Sequence, residues 1–192
     1  MTNRAVAFGV IVLGLFLLAG CSKKQEQQQA GTQSVLLGEA KGSVAGIQWS
    51  VPKRWTGQGA RQMRAASYTI PAAQGDPEPA ECAVFYFGNS QGGSVDANID
   101  RWVGQFEAVA PPARSEREVN GLKVTLVQIA GAYLAPAGPM MESQGKKDNY
   151  RLLGAIVEAP QGSVFFKLTG PAKTVGECKG EFDEMVGSLS KQ

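Results

Sequence analysis

Four runs of the chain carry apolar residues on both of their faces: Cys82–Phe87, Leu122–Ala130, Leu152–Val157 and Val164–Leu168. A strand wet on one side alternates apolar and polar residues at period two. Strands that do not alternate belong to a sheet covered on both sides. The chain must therefore supply a layer for each face, and two amphipathic helical segments are available. In the first, Ser94 is placed to cap and Asp96 sits in the first turn. Val95, Ile99, Trp102, Val103 and Phe106 then recur at helical spacing. The second runs from Ala172 to Ser190, with Val175, Cys178, Phe182, Met185, Val186 and Leu189 as its stripe.

The connections make the sheet antiparallel. Asn120-Gly121 between Arg114–Val119 and Leu122–Ala130 is a type I′ hairpin signal. Ala159-Pro160-Gln161-Gly162 marks a second hairpin. Upstream, Ser43–Val51 reads as one strand with Ile47, Trp49 and Val51 on one face, and Gln58–Ile70 as another. Gly131–Asn149, rich in Gly, Pro, Met and Lys, reads as a long loop, a kind of segment that is often functional. The order β-β-β-α-β-β-loop-β-β-α predicts an α+β fold, a largely antiparallel sheet with a helix on each face.

The amino terminus carries an address. Arg4 precedes an uncharged run from Ala5 to Leu18, which has the length of a signal core and falls short of the roughly 20 apolar residues of a spanning helix. Leu18-Ala19-Gly20-Cys21 resembles the lipobox of bacterial lipoproteins. That resemblance implies cleavage after Gly20, lipidation of Cys21 and a durable membrane anchor of two or three acyl chains, such as diacylglycerol and palmitate. It implies a place in the cell envelope facing the periplasm, and Ser22 favours the outer membrane in a Gram-negative cell. The expected organisation is a signal over 1–20, a lipidated cysteine and polar tether over 21–43, and one globular domain over 44–192. The Gln-rich tether has too little apolar surface to offset its ordering entropy.

Composition narrows the chemistry. The chain has no histidine. This excludes Ser-His-Asp and Cys-His catalysis and histidine metal sites, and nothing points to a cofactor or a metal. Removing Arg4 with the signal lowers the net charge from +2 to +1. That balance gives no footprint for nucleic acid. With Cys21 lipidated, Cys82 and Cys178 remain in an oxidising compartment. They are either a disulfide, closing about 96 residues for ~4–5 kcal/mol on the chain-entropy model, or two buried thiols.

The order of elements, with an early strand closing in Val51-Pro52 ahead of Trp55, resembles the PsbP-like and Mog-type α/β/α sandwich. Its members include photosystem II extrinsic subunits and a Ran-binding import factor. A second resemblance is to a group of secreted bacterial proteins with segments like Tyr86-Phe87-Gly88, Gln91-Gly92-Gly93, Asn98, Arg101-Trp102 and Gln105-Phe106. It implies an address and a fold, and no activity.

Three candidate sites follow. The loop Gly88–Gly93, with Gln91, Gly92 and Gly93, precedes a helix and is either an anion cradle or a turn needing positive φ. Arg61, Arg64, Asn98, Arg101 and Gln105 could converge as a recognition patch for a carboxylate, the last three at i, i+3 and i+7; the alternative is a solvated helix face. Tyr133–Met141, with Met140-Met141, is either a contact loop for a partner or a hairpin extension. Trp49, Trp55 and Trp102 line a pocket or fill the core. The expected function is a non-enzymatic binding or assembly module, lipid-anchored and serving another envelope protein. A small-ligand (anion or carboxylate) binding protein is the alternative. A histidine-free hydrolase would require two close carboxylates with a raised pKa.

Overall fold

Apolar residues that alternate between two faces divide the molecule into two cores. The computed structural model describes residues 40–59, 61, 63–134 and 145–192. The signal, Cys21, the tether up to residue 39, Met140 and Met141 lie outside the described residues. The strands in the first half are β1 (Lys41–Val44), β2 (Ile47–Ser50), β3 (Thr56–Gly57), β4 (Ala66–Ile70) and β5 (Ala80–Tyr86). Helix α1 (Val95–Val103) leads into β6 (Phe106–Ala108), β7 (Ala113–Val119), β8 (Leu122–Leu134), β9 (Lys146–Ala159) and β10 (Gly162–Pro171). The chain closes with α2 (Ala172–Glu177), α3 (Lys179–Gly187) and β11 (Ser190–Lys191).

The main sheet has eight strands, all paired antiparallel, in the order β3-β4-β5-β10-β9-β8-β6, and β7 pairs β8 beyond β6. On one face Leu153, Ala155 and Val157 of β9 join Val164, Phe166 and Leu168 of β10. Val175, Cys178, Phe182, Met185, Val186 and Leu189 cover them, together with Ile47 and Trp49 of the small β1-β2-β11 sheet. On the other face Leu152, Ile156, Phe165, Val127 and Ile129 pack under Ile99 and Trp102 of α1. A helical layer lies on each face of a sheet-dominated α+β fold, as expected. Each fully buried Phe, Leu or Ile contributes roughly 1.5–3 kcal/mol.

Gly154 of β9 explains the seat of α1. A Cβ there would lie 2.3 Å from the Trp102 ring, so the missing side chain is the slot the indole fills. Ser94 caps the helix by accepting from the Ala97 amide at 3.1 Å.

Several boundaries differ from expectation. Ser43–Val51 is not one strand: Ala45 and Gly46 take φ of 55° and 76° and fold it into a β1–β2 hairpin, although Ile47, Trp49 and Val51 are buried together. Because β1 starts at Lys41, residues 41–43 are folded backbone rather than tether. The strand expected over Gln58–Ile70 is confined to β4, since Met63 at φ 64° breaks the extended run inside an Arg61–Arg64 bridge. Helix α1 stops at Val103, so Phe106 is a strand residue opposite Tyr133. The last helix breaks at Cys178, which leaves helical geometry at ψ 7°, yet both pieces keep one apolar stripe. The two ends of the expected long loop are strand, since β8 runs on to Leu134 and β9 begins at Lys146, and residues 135–144 lie outside the described residues.

Candidate recognition surface on the open half of the sheet

Lengths alone leave one face partly bare. A nine-residue helix such as α1 spans about 13 Å, whereas a 14-residue strand such as β9 reaches about 45 Å. Beyond α1, the same face presents Lys167 and Thr169 of β10, Glu81 and Phe85 of β5, Tyr133 of β8 and Tyr150 of β9. The register sets them side by side, with Thr169 opposite Glu81 and Phe165 opposite Phe85. Arg64 enters from the turn before β4.

Lys167 is the centre of this half. It is half-buried between Phe166 and Leu168 of β10. Its Nζ donates to Gln105 Oε1 and lies 5.5 Å from the centre of the Tyr133 ring. Among the described residues it forms no salt bridge. Burial first and the Arg64 charge second push its pKa down to about 8, against the opposing pull of Glu81. Arg64 donates to Glu81 Oε1 at 2.6 Å and to Ser67 Oγ at 3.2 Å, with its guanidinium 5.6 Å from the centre of Phe85. Arg61 shares the same Glu81 oxygen at 2.9 Å. Three cations thus face one carboxylate, a local surplus of two positive charges.

The aromatic wall depends on a bulge. Gly131 pairs with Tyr150 but Tyr133 pairs with Lys147, so β9 carries one extra residue, with Asn149 at φ 56°. The bulge turns Lys147 onto the face that holds Tyr150. Its Nζ lies 5.7 Å from the centre of that ring and is held by both Glu78 oxygens at 2.6 and 2.9 Å. Tyr133 stacks on Tyr150 at 5.7 Å and 6° and tilts against Phe106 at 5.1 Å. Burial raises the Tyr133 phenol pKa. The hydroxyls of Tyr150 and Thr169 are buried and have no hydrogen-bond partner among the described residues.

The sequence-derived candidates separate here. Arg64 and Tyr133 flank Lys167, and Gln105 and Arg61 join them. Asn98 does not join them: it is 2% exposed, and its side-chain amide donates to Gly92 O at 2.7 Å and Ser94 O at 2.8 Å. Gln105 lies past the end of α1, so it does not share a helix face with Asn98 and Arg101. Arg101 is exposed on α1. The loop holding Gln91, Gly92 and Gly93 takes the turn alternative. Gly92 and Gly93 have φ of 92° and 82°, and a Cβ on Gly92 would lie 2.8 Å from Phe87 and 3.0 Å from Phe165. A cavity of about 460 Å³ beside it includes the Glu158 carboxylate, which disfavours an anion.

Trp49, Trp55 and Trp102 are core residues. The disulfide alternative is not formed. Cys82 and Cys178 are free thiols in one core, and Cys178 Sγ donates to the Val175 carbonyl at 3.6 Å. Burial raises the pKa of both, that of Cys178 to about 11, which makes them unreactive. Lys167, Glu81, Thr169, Phe85 and Tyr150 were not singled out from the sequence. The one available signal was a lysine inside the run Val-Phe-Phe-Lys-Leu.

No protein-family model matches the sequence, and neither does any curated protein. The solution structure of cyanobacterial PsbP (CyanoP) from Synechocystis sp. PCC 6803 is similar, with a TM-score of 0.52 at 12% sequence identity. The similarity covers 85% of this chain and 99% of that one. The chain has a PsbP-like fold.

Proposed function

We propose that this protein is a non-enzymatic accessory module, held at the extracytoplasmic side of a membrane through Cys21, that docks onto another envelope component through the open half of its α1 face. The observation that carries this reading is the contrast in cover. The short helix α1 covers only part of its sheet face, and the rest is built of cations resting on aromatic rings rather than of closed apolar packing. Aromatic and arginine groups are the residue types enriched where proteins bind partners. The lipobox-like Cys21 supports the anchor, and the absence of histidine supports binding over catalysis. A PsbP-like fold is compatible with an accessory role, though a fold alone assigns none.

The test is crosslinking of the full-length lipoprotein in its own membranes, comparing wild type with Tyr133→Ala and with Lys53→Ala, a change on exposed chain away from the α1 face. Loss of one specific adduct in Tyr133→Ala, with retention in Lys53→Ala, is the expected result. An adduct pattern identical in all three proteins refutes the assignment of this face.

A further inference from the structure

We propose that the floor of this surface is a carboxylate-binding site, formed by the Lys167 ammonium, the Arg64 guanidinium and the Thr169 hydroxyl. The inference rests on the reading of the open half as a recognition surface and names the chemistry that the surface accepts. Three independent features lead to it. First, Lys167 is a half-buried cation whose hydrogen-bond partner is the neutral Gln105 amide, with no salt bridge among the described residues. A buried ammonium without a counter-charge is costly, and an incoming carboxylate removes that cost.

Second, Glu81 is shared between Arg61 and Arg64, so one carboxylate serves two guanidiniums before Lys167 is counted. Third, Thr169 lies two residues along β10 from Lys167, on the same face, and its buried hydroxyl has no partner among the described residues. An unpartnered hydroxyl donor beside a positive surplus is the complement of an anion. A carboxylate suits them because Arg64 presents a planar fork. The ring of Tyr133 under Lys167 and of Phe85 under Arg64 also offers apolar contact to whatever bears the group.

Other charged or titratable groups face the site. Glu81 and Arg61 approach from the β5 side, Tyr133 from β8, and Lys147, paired with Glu78, and Tyr150 from β9. Arg61, Arg64, Lys147 and Lys167 stand against Glu78 and Glu81, so the surplus of two positive charges is kept. Binding of a carboxylate favours the charged form of Lys167, so its midpoint moves up from about 8 toward the ordinary 10.5 and protons are taken up near pH 8.

The experiment uses the full-length protein in a non-ionic detergent, with lysine side chains carrying carbon-13 at Cε. Benzoate is the free-carboxylate probe, a pentaglutamate peptide the chain-borne one, and sulfate at matched ionic strength the control anion. The expected result is a saturable shift of the Lys167 signal with benzoate or pentaglutamate and a raised titration midpoint. Sulfate produces neither. Thr169→Val weakens binding about tenfold, and Lys167→Met abolishes it while its thermal unfolding remains cooperative. Saturation by benzoate assigns the site to small carboxylates, and saturation by pentaglutamate alone assigns it to acidic protein segments.

A Lys167 signal unmoved by both carboxylates, or moved as much by sulfate, overturns the proposal. If that happens while Tyr133→Ala still loses its envelope adduct, the docking reading stands without the carboxylate. If benzoate binds while the adduct is indifferent to Tyr133→Ala, the carboxylate site stands and the docking reading falls.

Discussion

The two faces of the sheet are built from neighbouring residues of the same strands, yet they do different work. On the face under α2 and α3, Val164, Phe166 and Leu168 meet Val175, Phe182, Met185 and Leu189, all at most 2% exposed. On the other face Phe165 of β10 is core, and the next alternate residues are Lys167 and Thr169, where α1 no longer reaches. One strand therefore carries a continuous apolar stripe on one side and an apolar-to-polar gradient on the other. The difference teaches where stability and recognition divide: the closed face holds the fold, and the half-closed face exposes groups whose own needs it does not meet.

The sharpest way to break this division is to cut equally large rings from the two faces. Phe166→Ala is expected to cost about 3–5 kcal/mol, since Phe166 is 1% exposed and meets Trp49 edge-on at 5.0 Å. Phe85→Ala, on the open half where the ring is only partly buried, should cost about 1 kcal/mol. Urea unfolding of both variants checks the pair, and equal losses would dissolve the distinction. Next in size is Gly154→Ala. The added methyl meets Trp102 at 2.3 Å and Val127 at 2.7 Å, so α1 must lift from the sheet at about 1–3 kcal/mol, with the Trp102 emission shifted to the red.

A smaller effect carries more information because of its sign. Lys167 has a depressed pKa in the fold, so the folded protein bears the cost of a buried charge below about pH 8. Between about 8 and 10.5 the unfolded chain binds more protons than the folded one, and this contribution to stability rises with pH. Lys167→Met is thus expected to be more stable than wild type at pH 7, and its advantage to shrink as pH rises through that window. Denaturation midpoints at pH 7, 8, 9 and 10 measure it; a constant difference would mean that Lys167 is not desolvated. Smallest of all is Arg114→Ala on β7. Its ion pairs with Asp96 and Glu116 are solvent-exposed, so the melting temperature should not move.

Much of the closed face was legible in the sequence because burial writes itself as periodicity. Every residue of the stripe from Val175 to Leu189 is buried, even though the helix breaks at Cys178. The Asn120-Gly121 turn was legible for a local reason, both residues adopting positive φ. The Ala45-Gly46 turn was not, since alanine rarely takes φ near 55° and hides the same geometry. The open half was the least legible part. Arg64 and Tyr133 stood out by residue type, but the strand pairing that gathers them around Lys167 spans more than sixty residues of chain. The bulge that turns Lys147 inward leaves no period to read. Asn98 looked like a binding group for the reason that makes it a clamp: its amide can satisfy two carbonyls at once.

The most direct test places a photo-reactive residue at two exposed positions of the full-length protein in its own membrane. One replaces Met63, 70% exposed beside Arg64 at the rim of the open half, and the other replaces Glu184 on the outer surface of α3. A specific adduct from position 63 and only background from position 184 is the predicted result. A specific adduct from position 184 with none from position 63 would place recognition on the closed face and contradict the division of labour between the two sides of the sheet.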